Sequence, residues 1–203
     1  MPHITLVGDS IFDNKVYVGN DPDVISHLRR LLPVGWEAAL CAVDGSTTAK
    51  IPEQIVRIPK QTTHIIVSIG GNDALMNQNI LYSTTETGIS VLEKLDRIGE
   101  EFRKNYHQAI QAILALRKRT VLCTIYNANL PDNVASAARA AISVFNDKIY
   151  MEAYSSGLRV IDLRKVCMEK TDYANPIEPS AQGGAKIAGA IMNLINKMEK
   201  KAP

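Results

Sequence analysis

The stretch His64-Ile65-Ile66-Val67-Ser68-Ile69-Gly70-Gly71-Asn72-Asp73 decides the reading of the fold. Residues 64–69 are nearly continuous in apolar and β-branched character, as expected of a central parallel strand covered on both faces. The run stops in Gly70-Gly71-Asn72-Asp73, where glycine, asparagine and aspartate favour a turn. The same grammar recurs upstream. A strand at 4–7 precedes Gly8-Asp9-Ser10-Ile11-Phe12-Asp13-Asn14, and a strand at 37–43 precedes Asp44-Gly45-Ser46-Thr47-Thr48. Two further strands read at 120–125 and 159–163.

Helical patterns separate these strands. Asp21-Pro22-Asp23 opens a helix expected to bury Val24, Ile25, Leu28, Leu31 and Leu32 and to stop at Pro33. A shorter helix reads around 53–58. The longest carries Val91, Leu92, Leu95, Ile98, Phe102, Tyr106, Ala109, Ile110 and Ile113 at steps of three and four, with Gly99 expected to mark a bend. Another covers about 134–154 and ends near Gly157. The last runs from the N-cap Ser180 to about Met198. One helix per crossover between short strands implies an α/β fold, a parallel five-stranded sheet with helices on both faces, formed by residues 1–203 as one domain. In such sheets ligands bind beyond the carboxyl ends of the strands, which is where the three glycine-rich turns fall.

Composition narrows the function. The 203 residues carry 23 basic and 21 acidic side chains, a balance that gives no reason to expect nucleic acid or an anionic membrane as partner. The one basic cluster, Arg117-Lys118-Arg119, reads as the positive complement of a helix C-terminus, and Lys197, Lys200 and Lys201 as a solvated tail. No stretch approaches the roughly 18 apolar residues of a membrane span, and the segment from Met1 to Val7 lacks the pattern of a secretory leader. Cys41, Cys123 and Cys167 form no C-x-x-C pair and read as buried free thiols of a reducing, cytoplasmic compartment. No metal or nucleotide cofactor is expected, because there is no Cys/His cluster, no G-x-G-x-x-G and no P-loop. The residues Asp9, Asp13 and Asp73 are the set that could gather round a hard cation.

An exposed serine on a tight turn suits a nucleophile, and a glycine N–H with an asparagine amide suits an oxyanion site. Taken together, Gly8-Asp9-Ser10 after the first strand, Gly45 after the second and Gly70-Gly71-Asn72-Asp73 after the third resemble the GDSL, or SGNH, hydrolase family. The resemblance spans the whole chain in element order. It implies a flavodoxin-like three-layer α/β/α sandwich and hydrolysis of acyl, lipid or sugar esters, of the esterase, lipase or lysophospholipase kind. It also implies Ser10 as nucleophile, with the Ser10 N–H, the Gly45 N–H and the Asn72 side chain as oxyanion donors. Asp9, Asp73 and Asn175 stand as supporting residues.

The fourth block departs from the family. In place of D-x-x-H, the chain has Asn175-Pro176-Ile177-Glu178, followed by Pro179-Ser180, so Asn175 stands at the Asp position and Glu178 at the His position. His3 and His64 open their strands at the opposite edge of the sheet, and His27 and His107 lie in amphipathic helices, so none replaces the missing base. Glu178 has two readings. It is a base whose carboxyl, raised by burial, takes the Ser10 proton, held by a hydrogen bond from the Asn175 amide. Alternatively, it is a structural loop carboxylate bonded to the N–H groups of the last helix. Asp172 and Asp13 are the other carboxylates expected near the mouth. Three functions follow: an esterase with an atypical base, a binding protein that retains the pocket for an ester, acyl or glycan ligand, and hydrolysis by direct water attack. The connections 74–88 and 126–133 should wall the pocket. The apolar Leu75, Met76, Ile80, Leu81 and Tyr82 in the first are expected to form a cover packed on the core rather than an acyl site.

Overall fold

The fold was taken from a computed structural model, which describes residues 2–82 and 87–200. Met1, residues 83–86 of the 74–88 connection and Lys201, each part of a sequence reading above, lie outside the described residues. The strands are β1 (His3–Gly8), β2 (Glu37–Leu40), β3 (His64–Ser68), β4 (Arg119–Cys123) and β5 (Arg159–Ile161). The helices are α1 (Lys15–Val18), α2 (Val24–Leu31), α3 (Ile51–Ile55), α4 (Gly71–Leu75), α5 (Gly88–Leu114), α6 (Asp132–Ser155) and α7 (Ala181–Glu199).

All strand pairs are parallel, in the order β2-β1-β3-β4-β5. Chain direction across the sheet reverses between β1 and β3, so the loops after these two strands flank a crevice at the topological switch point. Two apolar layers fill the faces. Ile4, Leu6, Ile66 and Val121 pack under α2 and α7, with Ile187, Ile191 and Leu28. Val7, Ile65, Val67 and Leu122 pack on the other face against α5 and α6, with Tyr106, Ile110 and Phe145. Strand residues thus alternate between layers, and both faces are dry, which is why the central strands read as unbroken apolar runs.

Several boundaries differ from the sequence reading. Strand β2 ends at Leu40 because the N–H groups of Cys41 and Ala42 both donate to the Leu6 carbonyl, which kinks the strand out of the ladder. Strand β4 stops at Cys123, and the amide of Asn146 then takes over both backbone groups of Ile125. Strand β5 gives way after Ile161 to a turn capped by the Asp162 side chain. Leu31 is half exposed rather than core, since α2 ends there. Helix α5 runs unbroken through Gly99. A Cβ there would lie 2.6 Å from Val144 Cγ1, so glycine lets α5 approach α6. The basic cluster lies beyond the last turn of α5. Arg117 takes a left-handed backbone conformation, and Arg119 opens β4 and pairs with Glu199.

Candidate active site

Gly8 ends β1 at φ 140°, and a Cβ there would come within 1.7 Å of the Ser68 carbonyl oxygen, so only glycine lets the chain leave the strand here. The turn that follows is tight: the N–H groups of Phe12 and Asp13 both donate to the Asp9 carbonyl. The Gln54 amide pins its start, accepting from Gly8 N–H at 2.8 Å and donating to Gly8 O at 2.7 Å and Ser46 Oγ at 3.1 Å. This turn and the start of α4 bring Ser10 and Asn72 into the lining of one small cleft of about 70 Å³, shared with Asp9, Tyr126 and Glu178.

Ser10 is buried, and its hydroxyl donates to Glu178 Oε1 at 3.0 Å. Glu178 Oε2 is buried with no partner among the described residues. Burial, with a further push from the Asp44 charge, raises the Glu178 carboxyl to about 7, although the Ser10 hydroxyl partly offsets this. Asp9 is buried too. Desolvation, opposed by the Ile11 N–H bonded to Oδ1 and reinforced by the Glu178 and Asp73 charges, places its carboxyl at about 8. Two carboxyls with raised pKa values thus share a cleft with one serine, a pattern concentrated at functional sites.

The Glu178 loop is held from several sides. Asn14 Nδ2 donates to Pro179 O, Tyr126 Oη to Ile177 O, Ala174 N–H to Glu178 O and Asn129 N–H to Pro176 O. Asn175 does not bond the Glu178 carboxylate as the sequence reading expected. Its Oδ1 accepts from the N–H groups of Ile177 and Glu178, both at 2.9 Å, because a short amide side chain naturally closes a turn on the backbone two and three residues on. Nor does Glu178 cap α7: Ser180 accepts from Gly183 N–H and fills that place.

Asp172 and Asp13 are not free at the mouth. Asp172 accepts from Met168 N–H, Glu169 N–H and Lys186 Nζ, which hold its carboxyl below the ordinary range against the burial that would raise it. Asp13 accepts from Asp44 N–H. Asp73 binds the N–H and hydroxyl of Thr48, joining α4 to the turn after β2. The four histidines lie elsewhere: His3 and His64 open β1 and β3, His27 lies in α2, and His107 in α5 bonds Glu152. Among the described residues no group of three or more His, Cys, Asp or Glu is placed to hold a metal ion.

The sequence-predicted oxyanion donors fall as follows. Ser10 N–H and Gly45 N–H have no acceptor among the described residues. Asn72 Nδ2 donates to Ser46 O at 2.9 Å, which ties the 44–46 turn to α4 and leaves the second amide proton uncommitted. Gly45 itself is exposed and lies outside the lining of the small cleft. Beyond Leu75, Ala128, Ile142 and Ile177 the cleft adjoins a larger, mostly apolar chamber of about 590 Å³. Leu75, Ile80, Leu81 and Tyr82 line this chamber instead of packing as a core cover, and Met76 points outward. Ile142 and Gln54 were invisible to motif reading: one is an ordinary apolar helix position, the other one amide in a short helix.

The sequence model for the GDSL-like lipase/acylhydrolase family matches residues 6–186. No curated protein sequence matches the chain. Among solved structures, an extracellular lipase from Streptomyces rimosus superposes with TM-score 0.71 at 16% identity, covering 95% of this chain and 99% of that one. The lipase Lip_vut3 from a goat rumen metagenome gives 0.73 at 20% identity, covering 95% and 97%. The psychrotrophic esterase EstA from Pseudoalteromonas gives 0.69 at 12%, covering 99% and 100%. At these identities the superpositions establish the shared fold.

Proposed function

The chain belongs to the GDSL-like lipase/acylhydrolase family, and from that premise we propose that it hydrolyses carboxylic esters with an apolar acyl arm, using Ser10 as nucleophile and Glu178 as general base. The observation that carries this reading is the Ser10 hydroxyl donating to Glu178 at 3.0 Å inside a cleft that adjoins the apolar chamber. As Ser10 Oγ attacks the ester carbonyl, its proton passes to Glu178. The negative charge that develops on the carbonyl oxygen is met by the Ser10 N–H and the free proton of Asn72. The tetrahedral intermediate expels the alkoxide, which takes the proton from Glu178, leaving an acyl-Ser10 ester. Water then gives a proton to Glu178 and attacks that ester, and Ser10 recovers its proton as the acid leaves.

A glutamate can replace histidine here because a carboxyl at about 7 is half ionised near neutral pH and is a far stronger base than one at its ordinary value. Asp9 lines the cleft beside Ser10, and Asp73 holds the neighbouring turn through Thr48. Asn175 fixes the Glu178 backbone. The three free, buried thiols fit a reducing, cytoplasmic compartment, and no helix among the described residues is long and apolar enough to cross a membrane.

A fluorophosphonate probe tests the reading. Labelling is expected in wild type, lost in Ser10→Ala and slowed in Glu178→Gln. Ester turnover that survives Ser10→Ala would overturn the nucleophile and favour direct water attack. A folded wild type that neither labels nor turns over esters would favour the ligand-binding reading.

A further inference from the structure

Among the described residues, Arg139 is the one charged side chain in the lining of the large chamber. Arg139 sits on α6 with Ala135, Ala138 and Ile142, at offsets of three and four residues, so these side chains share one face of the helix. Ile142 also borders the Ser10 cleft. Three residues of helix separate it from Arg139, a rise of about 4.5 Å. Arg139 itself does not line the Ser10 cleft, so it stands in the chamber and outside that cleft. Arg139 is exposed, and its guanidinium has no hydrogen-bond or ion-pair partner among the described residues. Some other surface cations are paired, such as Arg164 with Asp162, Arg119 with Glu199 and Lys186 with Asp172.

An apolar wall that ends at an unpaired, solvated guanidinium describes a bipartite ligand. A neutral aliphatic chain gains nothing from the cation. An anion inside the apolar walls would lose its hydration without compensation. At the rim, an anion stays in water and meets a planar donor that matches a carboxylate in two parallel hydrogen bonds.

We propose that this site selects esters whose acyl arm runs through the chamber and ends in an anionic group held by Arg139. The proposal rests on the hydrolase reading above and adds to it a substrate class, ω-anionic acyl esters.

The test compares matched pairs of 4-nitrophenyl esters: the mono-esters of adipic, suberic and sebacic acids against hexanoate, octanoate and decanoate. In wild type, kcat/KM for the anionic member should exceed its neutral partner by about five-fold at the best length, the effect of one solvated charge pair. Arg139→Gln should bring that ratio to about one and Arg139→Glu below one. A wild-type ratio at or below one at every length, or a ratio unchanged in Arg139→Gln, overturns the proposal. An Arg139-dependent preference for 4-carboxyphenyl octanoate, which bears the anion on the alcohol, without one for the acyl series overturns the assignment to the acyl arm. Failure of the hydrolase reading shows separately, as neutral esters that are not turned over and a Ser10 that is not labelled. In that case calorimetry on Ser10→Ala and Ser10→Ala/Arg139→Gln reads the site directly. Monomethyl sebacate should bind the first protein about five-fold tighter than dimethyl sebacate and lose that margin in the second. Equal binding of the two esters to the first protein overturns the proposal.

Discussion

Glu178→Gln separates activity from stability in opposite directions. Glutamine keeps the shape and an Oε1 that accepts from Ser10, so the loop held by Asn14, Tyr126 and Asn175 has no reason to move. It cannot take a proton, so turnover should fall by about 10²–10⁴, the usual contribution of a general base. In wild type, a carboxyl at about 7 is roughly one-tenth ionised at pH 6, so the rate there should be about a tenth of its plateau above pH 8. The stability effect has the other sign. This carboxyl ordinarily releases its proton near 4.5, whereas the fold holds it to about 7. Below 4.5 both states are protonated and the group is neutral to stability. As pH rises, the unfolded chain ionises first, and the wild-type fold loses stability until the group is ionised in both states. At 1.36 kcal/mol per pH unit, that loss is on the order of 3 kcal/mol. Glutamine removes it, so the variant should be about as stable as wild type near pH 4.5 and more stable by up to about that amount at pH 9. Urea unfolding at pH 5, 7 and 9, read beside ester hydrolysis on the same samples, tests both halves. An active Glu178→Gln protein, or a wild-type rate flat from pH 5 to 9, would refute Glu178 as the base. Coincident stability curves for the two proteins would refute the buried, raised carboxyl.

Asn72→Ala should lower kcat by about 10²–10³, the cost of one oxyanion donor, and unchanged turnover in a folded variant would remove Asn72 from the chemistry. Asp9→Asn keeps the acceptor for Ile11 N–H and removes a carboxyl held at about 8, so urea unfolding should show a gain over wild type that grows as pH rises from 4 to 8. Asn175→Asp with Glu178→His rebuilds the family's usual pair on a loop that still accepts from residues 177 and 178, and esterase activity should rise. Ala138→Trp fills part of the chamber and should raise KM for 4-nitrophenyl decanoate by about tenfold or more, with little change for the acetate. EDTA should leave activity unchanged, and loss restored by one divalent ion would show a metal requirement.

What could be read along the chain was periodic or compositional. Residues 64–69 betrayed a strand dry on both faces, and the α5 apolar stripe and the Ser180 cap placed their helices, because burial on a regular element repeats at the element's own period. Gly8-Asp9-Ser10 and Gly70-Gly71-Asn72-Asp73 located one edge of the sheet, since only certain residues suit those turns. Strand ends escape the pattern where a tertiary partner decides them. The doubled bond to Leu6 O ends β2, and the Asn146 amide replaces the ladder at Ile125.

The site divides in the same way. That Glu178 stands where a histidine is expected follows from the sequence alone. That its Oε1 lies 3.0 Å from Ser10 Oγ depends on a contact between residues 168 apart, and that Asn175 closes the backbone turn rather than holding the carboxylate, or that Asp172 pairs with Lys186, follows from shorter-range geometry that no periodic pattern announces. The chamber walls are ambiguous in sequence for the same reason. Apolar residues at 75 and 80–82 carry no local mark telling a core cover from a cavity wall, and only the placement of α6 opposite them leaves the space open. Patterns of burial are encoded in neighbouring residues. The pKa of a carboxyl, the partner of a hydroxyl and the emptiness of a cavity are set by what the fold brings close, and so only the tertiary structure decides them.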